Sequence, residues 1–331
     1  AGIALASREG ILVRDFSAFE TATHIDTVVF DKTGTLTSGR WRLEAVGLHG
    51  DMDAATAIAL AAGLEQVRDA ATENRHPVAR EIIRQAQERR LAPLPIGERR
   101  VHANGIHGRW QGQSVRIGNR AHCGLSPAAH PDQADSQVFL TLAGKLTADF
   151  SFADPLRPGA VETTQTLARA GQSLHLVTGD GPGPARKIAT KLQISRWQAD
   201  LSPLDKSTYI NDLRQAGGRV TMVGDGVNDA AALGAADLGV ALYAGHPLGH
   251  EVSDITLMAG DPRQLLAFNR LAKLVRRKIR QNLGWSMVYN VVSIPIAMSG
   301  LLTPLVAVCA MLISSLSVTL NTYGLVRQRV K

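Results

Sequence analysis

Short runs of apolar residues recur along the middle of the chain, and each ends at a turn residue or an acid. The clearest runs are Thr27–Phe30, Leu174–Val177, Val220–Val223 and Leu238–Leu242. Continuous runs of this length predict strands that are buried on both faces of a parallel sheet. Helical stretches, such as 160–170 and 206–215, lie between the runs. The alternation predicts a doubly wound α/β fold.

A long insertion separates the first predicted strand from the second. It begins with an alanine-rich helical stretch at 54–71 and continues through a glycine-containing section that favours antiparallel strands. We therefore predict an inserted α+β domain at 39–151. The first domain is then formed by two separate pieces of chain, 27–38 and 152–262.

Near its end the chain has a long uncharged stretch. Residues 282–326 contain no Asp, Glu, Lys or Arg, and basic residues flank the stretch on both sides. Its length allows two helices of about 20 residues, which is enough for a transmembrane hairpin. We expect a basic juxtamembrane helix at 263–281, the hairpin at 282–326 and a cytoplasmic tail at 327–331, with both ends cytoplasmic. A buried helical hairpin of a soluble protein is the alternative.

The charge balance has a local explanation. The 331 residues carry a net charge of +7, and part of the positive charge clusters beside the uncharged stretch. We therefore expect membrane lipid as a partner and no nucleic acid. Cys123 and Cys309 are too isolated in sequence to suggest a disulfide framework. The chain begins at Ala1 without a signal peptide, and we interpret residues 1–26 as a connector from an upstream membrane helix.

The candidate chemistry lies where the predicted strands end. Asp31 follows the first strand and opens the run DKTGTLT. A carboxylate placed there can act as a nucleophile toward a phosphoryl group, and the glycine and threonines allow a turn that holds phosphate oxygens. Ligands bind at the carboxyl ends of the strands in such sheets. The tips TGD at 178–180 and GDGVND at 224–229 should therefore meet Asp31.

Other polar residues would complete such a site. Thr178 can donate to a phosphate oxygen, and Lys206 can neutralise the transferred group. Asp225 and Asp229 offer the hard oxygen ligands that suit Mg²⁺. Taken singly, TGD and GDG could be ordinary turns and Lys206 a solvated surface residue. The DKTGTLT run is the specific signal.

DKTGTLT, TGD and GDGVNDAAAL resemble the signature motifs of P-type ATPases, and from about Gly2 to Arg329 the chain is similar to their heavy-metal class. The resemblance implies a haloacid-dehalogenase-like fold, ATP as the phosphoryl donor and Asp31 as the residue that is phosphorylated. It implies that Asn228 and Asp229 support the magnesium site. The predicted catalytic residues are Asp31, Thr33, Thr178, Gly179, Asp180, Lys206 and Asn228, and the predicted Mg²⁺ ligands are Asp31, the Thr33 carbonyl, Asp225 and Asp229.

The inserted domain carries a second part of the resemblance. His76-Pro77 and the Gly105-x-x-Gly108 region resemble the nucleotide domain of the heavy-metal class. This implies that the domain binds ATP through His76, Pro77, Gly105 and Gly108, with His76 against the adenine. It also implies an actuator domain and further membrane helices elsewhere in the same protein as partners.

The end of the chain resembles the copper(I) subgroup, which implies Tyr289, Asn290, Met311 and Ser314 as ligands of the transported ion. Thioether sulfur suits Cu(I), and 282–326 contains no carboxylate to balance a divalent ion. Ordinary packing is the alternative for Tyr289 and Met311. We expect a multi-pass cell-membrane protein with cytoplasmic catalytic domains, and a copper chaperone or acceptor as a partner.

Two other functions compete with this interpretation. A soluble haloacid-dehalogenase-type phosphatase typically has a second Asp two residues after its nucleophile, where this chain has Thr33, which cannot serve as acid and base at neutral pH. A non-catalytic fragment that binds nucleotide or metal would not need the full set of Asp31, Lys206, Asp225 and Asp229.

Overall fold

The computed structural model describes residues 1–66, 77–102, 104–126, 137–226, 228–243, 252–299 and 304–327. The helices are α1 (Gly2–Arg8), α2 (Ala18–Thr21), α3 (Ala54–Glu65), α4 (Pro77–Glu88), α5 (Ala160–Arg169), α6 (Pro182–Leu192), α7 (Pro203–Gln215), α8 (Ala230–Ala235), α9 (Arg263–Met298) and α10 (Pro304–Arg327). The strands are β1 (Ile11–Val13), β2 (Thr27–Asp31), β3 (Arg42–Leu48), β4 (Gly97–His102), β5 (Gly105–Trp110), β6 (Gln113–Gly118), β7 (Gln137–Leu142), β8 (Lys145–Ala153), β9 (Ser173–Val177), β10 (Arg196–Gln198), β11 (Val220–Gly224), β12 (Leu238–Leu242) and β13 (Ile255–Leu257).

A seven-stranded sheet holds the four strands that the sequence predicted. Its order is β1-β13-β12-β11-β2-β9-β10, and all neighbours are parallel except β1 and β13. Every residue of β2, β11 and β12 is buried. The continuous apolar runs therefore reflect a sheet that is covered on both faces. The prediction of a doubly wound α/β fold is confirmed.

The inserted region forms a six-stranded antiparallel sheet in the order β3-β8-β7-β6-β5-β4. Its strands alternate between buried and more exposed residues, as in β5 and β6. Helices α3 and α4 join the strands in one apolar cluster that includes Ile58, Leu64 and Ile82. The α+β character predicted for the insertion is confirmed.

Helix α9 connects the first sheet to the end of the chain. Its first turns are part of the hydrophobic core, where Phe268 and Leu271 are fully buried and the Phe268 ring centroid lies 5.2 Å from that of Phe19. The basic residues that follow face outward, because the apolar positions of the helix are already directed at the core.

A row of polar side chains joins α9 to α10. Lys278 Nζ donates to Asn321 Oδ1 over 2.7 Å, and Asn321 donates to Asn282 over the same distance. Asn282 in turn donates to Thr322 over 3.0 Å. These bonds set how the two helices align, since a shift along either axis would break all of them.

Within the described ranges, neither α9 nor α10 is long and apolar enough to cross a membrane. The described residues therefore do not show the transmembrane hairpin predicted over 282–326.

Candidate active site

Asp31 is the last residue of β2, in the middle of the seven-stranded sheet. Strands β9 and β11 flank it, and Asp31 pairs with Val177 in the register of β9. The side chain is almost fully buried. Three strand tips therefore meet at one edge of the sheet, as the sequence predicted.

The loop Lys32–Leu36 turns the chain sharply after Asp31. Gly34 has a φ of +79°, a backbone conformation that favours glycine. A Cβ at this position would lie 3.6 Å from Asp225 Oδ2, so the loop passes directly over the tip of β11. The sequence DKTGT thus places the backbone of its glycine beside the second acidic tip.

Arg157, which the sequence analysis did not single out, holds this loop. Its guanidinium donates to the carbonyl of Gly34 over 2.7 Å and to those of Thr37 and Gly260 over 3.1 Å. Asp154 adds a contact of 2.5 Å between its Oδ2 and Thr37 Oγ1. Both residues come just after β8, where the chain returns from the inserted domain, so the same junction orders the loop.

Lys206 connects two of the buried carboxylates. Its Nζ lies 2.6 Å from Asp31 Oδ1 and 2.7 Å from Asp229 Oδ1. Lys206 belongs to the first turn of α7, whose start is fixed by a capping box between Ser202 and Asp205. The local sequence SPLDK therefore aims the lysine at Asp31.

Burial and charge act against each other at this site. Burial raises the pKa of Asp31 to about 8, and the negative charges of Asp229 and Asp225 add to the rise while Lys206 opposes it. Burial alone lowers the pKa of Lys206, but the two carboxylates outweigh it and raise that pKa. One lysine cannot balance three nearby carboxylates, so the site favours a further cation or a proton.

The GDGVND tip organises Asp225 through its neighbours. The Asn228 N–H donates to Asp225 Oδ1 over 3.2 Å, and the Asp225 N–H donates to Asp229 Oδ2 over 3.3 Å. Asp229 is thus engaged by Lys206 and by backbone. In the described residues no group of three or more His, Cys, Asp or Glu side chains is arranged to hold a metal. Asp229 is therefore placed as a support, and the predicted Mg²⁺ ligand set stays a prediction.

The remaining donors still fit Mg²⁺. The charge of Asp225 adds to the raised pKa of Asp31, and the loop that contains Thr33 passes beside Asp225 at Gly34. Mg²⁺ commonly uses one or two carboxylates and keeps waters and phosphate oxygens for its other positions. Two carboxylates and a carbonyl therefore suffice.

Thr178, Gly179 and Asp180 form the third tip. Thr178 is buried, and its Oγ1 accepts the Asp180 N–H over 3.1 Å, so the hydroxyl hydrogen stays available as a donor. The Asp180 carboxylate turns toward the loop, where it accepts from Thr33 Oγ1 over 3.1 Å and forms a salt bridge with Lys32. Asp180 therefore ties two tips together instead of facing a phosphate.

Two of the predicted nucleotide residues, Gly105 and Gly108, lie on β5 of the six-stranded sheet. His76 lies outside the described residues, and Pro77 is the exposed first residue of α4. A Cβ at Gly105 would meet the Ile117 carbonyl at 2.3 Å, and one at Gly108 would meet Ile96 Cγ2 at 2.4 Å. These glycines are thus required for close packing.

The same sheet carries a basic pocket that the sequence analysis missed. It has a volume of about 710 Å³ and is lined by Arg100, His102, Asn104, His107, Arg116 and His122. The register of β4, β5 and β6 puts Arg100, His107 and Arg116 side by side. Alternate positions of neighbouring strands produce this row, and a motif search does not detect it.

The residues expected to bind a transported ion lie on α9 and α10. The Tyr289 hydroxyl is 3.1 Å from Ser317 Oγ. Asn290 is exposed, and Met311 is 62% exposed. Ser314 is half-buried. Their role as ligands of a transported ion stays a prediction.

Comparison with known proteins places this arrangement in a family. Residues 25–237 match the haloacid dehalogenase-like hydrolases. The chain belongs to the haloacid dehalogenase-like hydrolase family. A copper-transporting P-type ATPase of Rhizobium leguminosarum bv. viciae is 34% identical over 335 residues, which are 96% of this chain and 39% of that protein. The predicted resemblance to heavy-metal P-type ATPases is confirmed.

Solved structures agree with this hydrolase assignment. A zinc-transporting PIB-type ATPase in the E2·Pi state has a TM-score of 0.86 at 30% identity, covering 98% of this chain and 54% of that one. The catalytic domain of the CPx-ATPase CopB-B, studied for its changes on nucleotide binding, has a TM-score of 0.67 at 27% identity, covering 81% of this chain and 98% of that one. The chain spans between 36% and 46% of the length of four curated relatives that it matches.

Proposed function

We propose that this chain is the catalytic region of an ATP-driven heavy-metal transporter and that Asp31 accepts the γ-phosphoryl group of ATP. The observation that carries the proposal is the Lys206 ammonium between Asp31 and Asp229, at the meeting point of three strand tips. The copper- and zinc-transporting relatives support metal transport by the whole protein. We place that protein in the cell membrane, with this region on the cytoplasmic side.

The geometry suggests how the transfer proceeds. Lys206 holds Asp31 Oδ1, which leaves Oδ2 to attack the γ-phosphorus as the bond to the ADP oxygen breaks. The Lys206 charge and the Thr178 hydroxyl then stabilise the phosphoryl oxygens. Bound Mg²⁺, held by Asp31, Asp225 and the Thr33 carbonyl, would supply charge neutralisation. The product on the protein is an aspartyl phosphate, which water later hydrolyses.

The residue two positions after Asp31 favours a transporter over a phosphatase. Thr33 donates its hydroxyl to Asp180, and Asp180 is engaged by Lys32. Neither residue is placed as a free base that could activate water beside the aspartyl phosphate. We therefore propose that the phosphoenzyme is long-lived unless another domain of the full-length protein promotes hydrolysis.

Radiolabelling of the chain tests the phosphorylation. The wild-type chain, incubated with γ-labelled ATP and Mg²⁺, should retain acid-stable label that hydroxylamine removes. Asp31→Asn keeps the shape of the side chain but lacks the anionic nucleophile, so it should not be labelled. Label that persists in this variant would refute Asp31 as the nucleophile, and hydrolysis without any trapped label in the wild type would favour a phosphatase.

We further propose Cu(I) as the transported ion. Met311 provides a soft thioether, and residues 282–326 contain no carboxylate to balance a divalent charge. The zinc-transporting structural relative makes Zn²⁺ the second candidate. The test is metal-stimulated ATP hydrolysis by the purified full-length protein under reducing conditions, with Met311→Leu as the variant. Stimulation by Zn²⁺ but not by Cu(I) would refute the ion assignment and leave the phosphorylation chemistry intact.

A further inference from the structure

A pocket with a strongly positive lining lies on α9, away from Asp31 and from the inserted sheet. It has a volume of about 500 Å³ and is lined by Thr23, Lys273, Arg276, Arg277, Arg280 and Gln281. The four cations occupy positions i, i+3, i+4 and i+7 of the helix, which puts them on one face. The lining contains no acidic residue.

The charge of this pocket is not neutralised by the protein. Among the described residues, no salt bridge involves any of the four cations, whereas other arginines of the catalytic region pair with acids, as Arg263 does with Asp261. Like charges one helical turn apart repel each other. Four such charges in one place therefore favour the binding of an anion.

The pocket is also held in shape by neutral groups. Arg276 donates to Thr23 Oγ1 over 2.8 Å and contacts His24 Nε2 over the same distance. These two partners follow α2, which packs on α9 through Phe19. The guanidinium is thus oriented before any ligand arrives, and a planar guanidinium suits phosphate oxygens.

The surface beyond the pocket is apolar. Continuing along α9, Leu283 is 61% exposed, Trp285 is 54% exposed and Met287 is 60% exposed. Trp285 is five residues after Arg280, a distance of roughly 7.5 Å along the helix axis. Tryptophan beside a basic cluster is typical of segments at a membrane surface. A ligand that carries both a phosphate and hydrocarbon chains matches the basic pocket and the apolar surface that follows it on α9.

We propose that the pocket binds the phosphate headgroup of an anionic phospholipid, with the acyl chains along the exposed apolar side chains that follow on α9. The site is separate from the phosphorylation site and does not depend on the nature of the transported ion. It gives the catalytic region a fixed contact with the lipid surface, and the contact requires a negatively charged headgroup.

Tryptophan quenching by brominated lipid tests the proposal on the whole chain. The chain is mixed with phosphatidylcholine vesicles that carry a minor fraction of brominated phosphatidylglycerol, or of brominated phosphatidylcholine in the matched sample. The fluorescence of Trp285 should be quenched at a lower fraction of brominated phosphatidylglycerol than of brominated phosphatidylcholine. Trp285→Phe should remove most of this quenching. Arg277→Gln combined with Arg280→Gln should reduce the preference on the order of 30-fold, since each basic residue near an anionic surface contributes about 1 kcal/mol.

A matched variant and a soluble anion separate the possible outcomes. Arg169→Gln combined with Arg270→Gln removes the same charge from exposed sites outside the pocket and should keep the preference. Equal quenching by the two lipids in the wild type, or a full preference in the pocket variant, would overturn the proposal. Loss of the preference on adding millimolar inorganic phosphate, but not sulfate of equal ionic strength, would instead identify a site for free phosphate and overturn the lipid assignment.

Discussion

The two sheets of this molecule place their polar groups in different positions. In the seven-stranded sheet the strands are buried on both faces, and the polar groups lie at the tips of β2, β9 and β11. In the six-stranded sheet the strands alternate, and the polar groups of β4, β5 and β6 lie on a face. The site at the strand tips, here called the tip site, holds a few groups away from water. The site on the sheet face, here called the face site, is broad and solvated.

The difference shows in the energetics of the charges. Asp31, Lys206 and Asp229 are buried and bonded to one another, so the cost of losing one partner is large. Arg100, His107 and Arg116 line an open pocket, where water screens each charge. The tip site is thus suited to bond making, and the face site to binding a ligand that must leave again.

Removing the buried lysine should have the largest effect. Lys206→Met leaves Asp31 and Asp229 without their cation, and breaking a buried ion pair in this way costs about 3–5 kcal/mol. Chemical denaturation of the variant measures the loss, and phosphorylation by ATP should be abolished as well. A loss below about 1 kcal/mol, which is the range of exposed pairs, would mean that water reaches the tip site and that the contrast between the sheets is false.

A pair of glycine variants compares backbone turns in the two sheets. Gly34 and Gly144 have φ angles of +79° and +78°, so alanine at either position should cost about 1–2 kcal/mol of stability. Only Gly34→Ala also places a methyl group 3.6 Å from Asp225 Oδ2, because a Cβ at Gly144 meets no atom within 4 Å. We expect a higher Mg²⁺ requirement for phosphorylation in Gly34→Ala alone. The same requirement in both variants would show that strain, and not the contact with Asp225, is responsible.

The raised pKa of Asp31 predicts a pH dependence that the open pocket should lack. In the folded protein Asp31 keeps its proton up to a pH of about 8, whereas in the unfolded chain it releases the proton above its ordinary pKa of 3.8. The bound proton therefore stabilises the fold at low pH, and this stabilisation is lost as the pH rises through about 8. Melting temperatures without Mg²⁺ should therefore fall less with pH in Asp31→Asn than in the wild type. Parallel curves for the two proteins would argue against the buried proton.

The smallest effect is expected at an exposed contact between the two parts of the chain. Lys187 of α6 lies 3.5 Å from Glu44 of β3, and both side chains are about half exposed. Lys187→Gln should change the free energy of unfolding by less than about 1 kcal/mol, and high salt should remove the difference. A larger, salt-resistant loss in chemical denaturation would show that this contact holds the two sheets together.

Sequence patterns predicted the part of the site that depends on local chain direction. A buried strand followed by an acid placed Asp31, whereas Lys206 was singled out for its charge and not for its position at the capped start of α7. The roles of Arg157 and Asp180 could not be predicted in the same way. Each depends on a contact with the loop after β2 that spans more than 120 residues of sequence, and no local pattern encodes such a contact.

The uncharged end of the chain shows the limit of counting charged residues. The absence of Asp, Glu, Lys and Arg in 282–326 was treated as evidence of a lipid-facing hairpin. Such a count does not predict that amides and hydroxyls of the two helices bond to one another, as Asn282 does with Asn321 and Thr322.

Helix α9 also has a mechanical consequence. It runs for 36 residues, or about 54 Å, from the core under the seven-stranded sheet to the partner helix α10, with Pro295 inside it three residues before its end. A rod anchored in this way converts a small tilt at its base into a large displacement at its tip, so that a rotation of about 10° would move the far end by roughly 9 Å. Spin labels at the two ends of α9 and on the sheet would report such a motion as a change of angle at constant rod length.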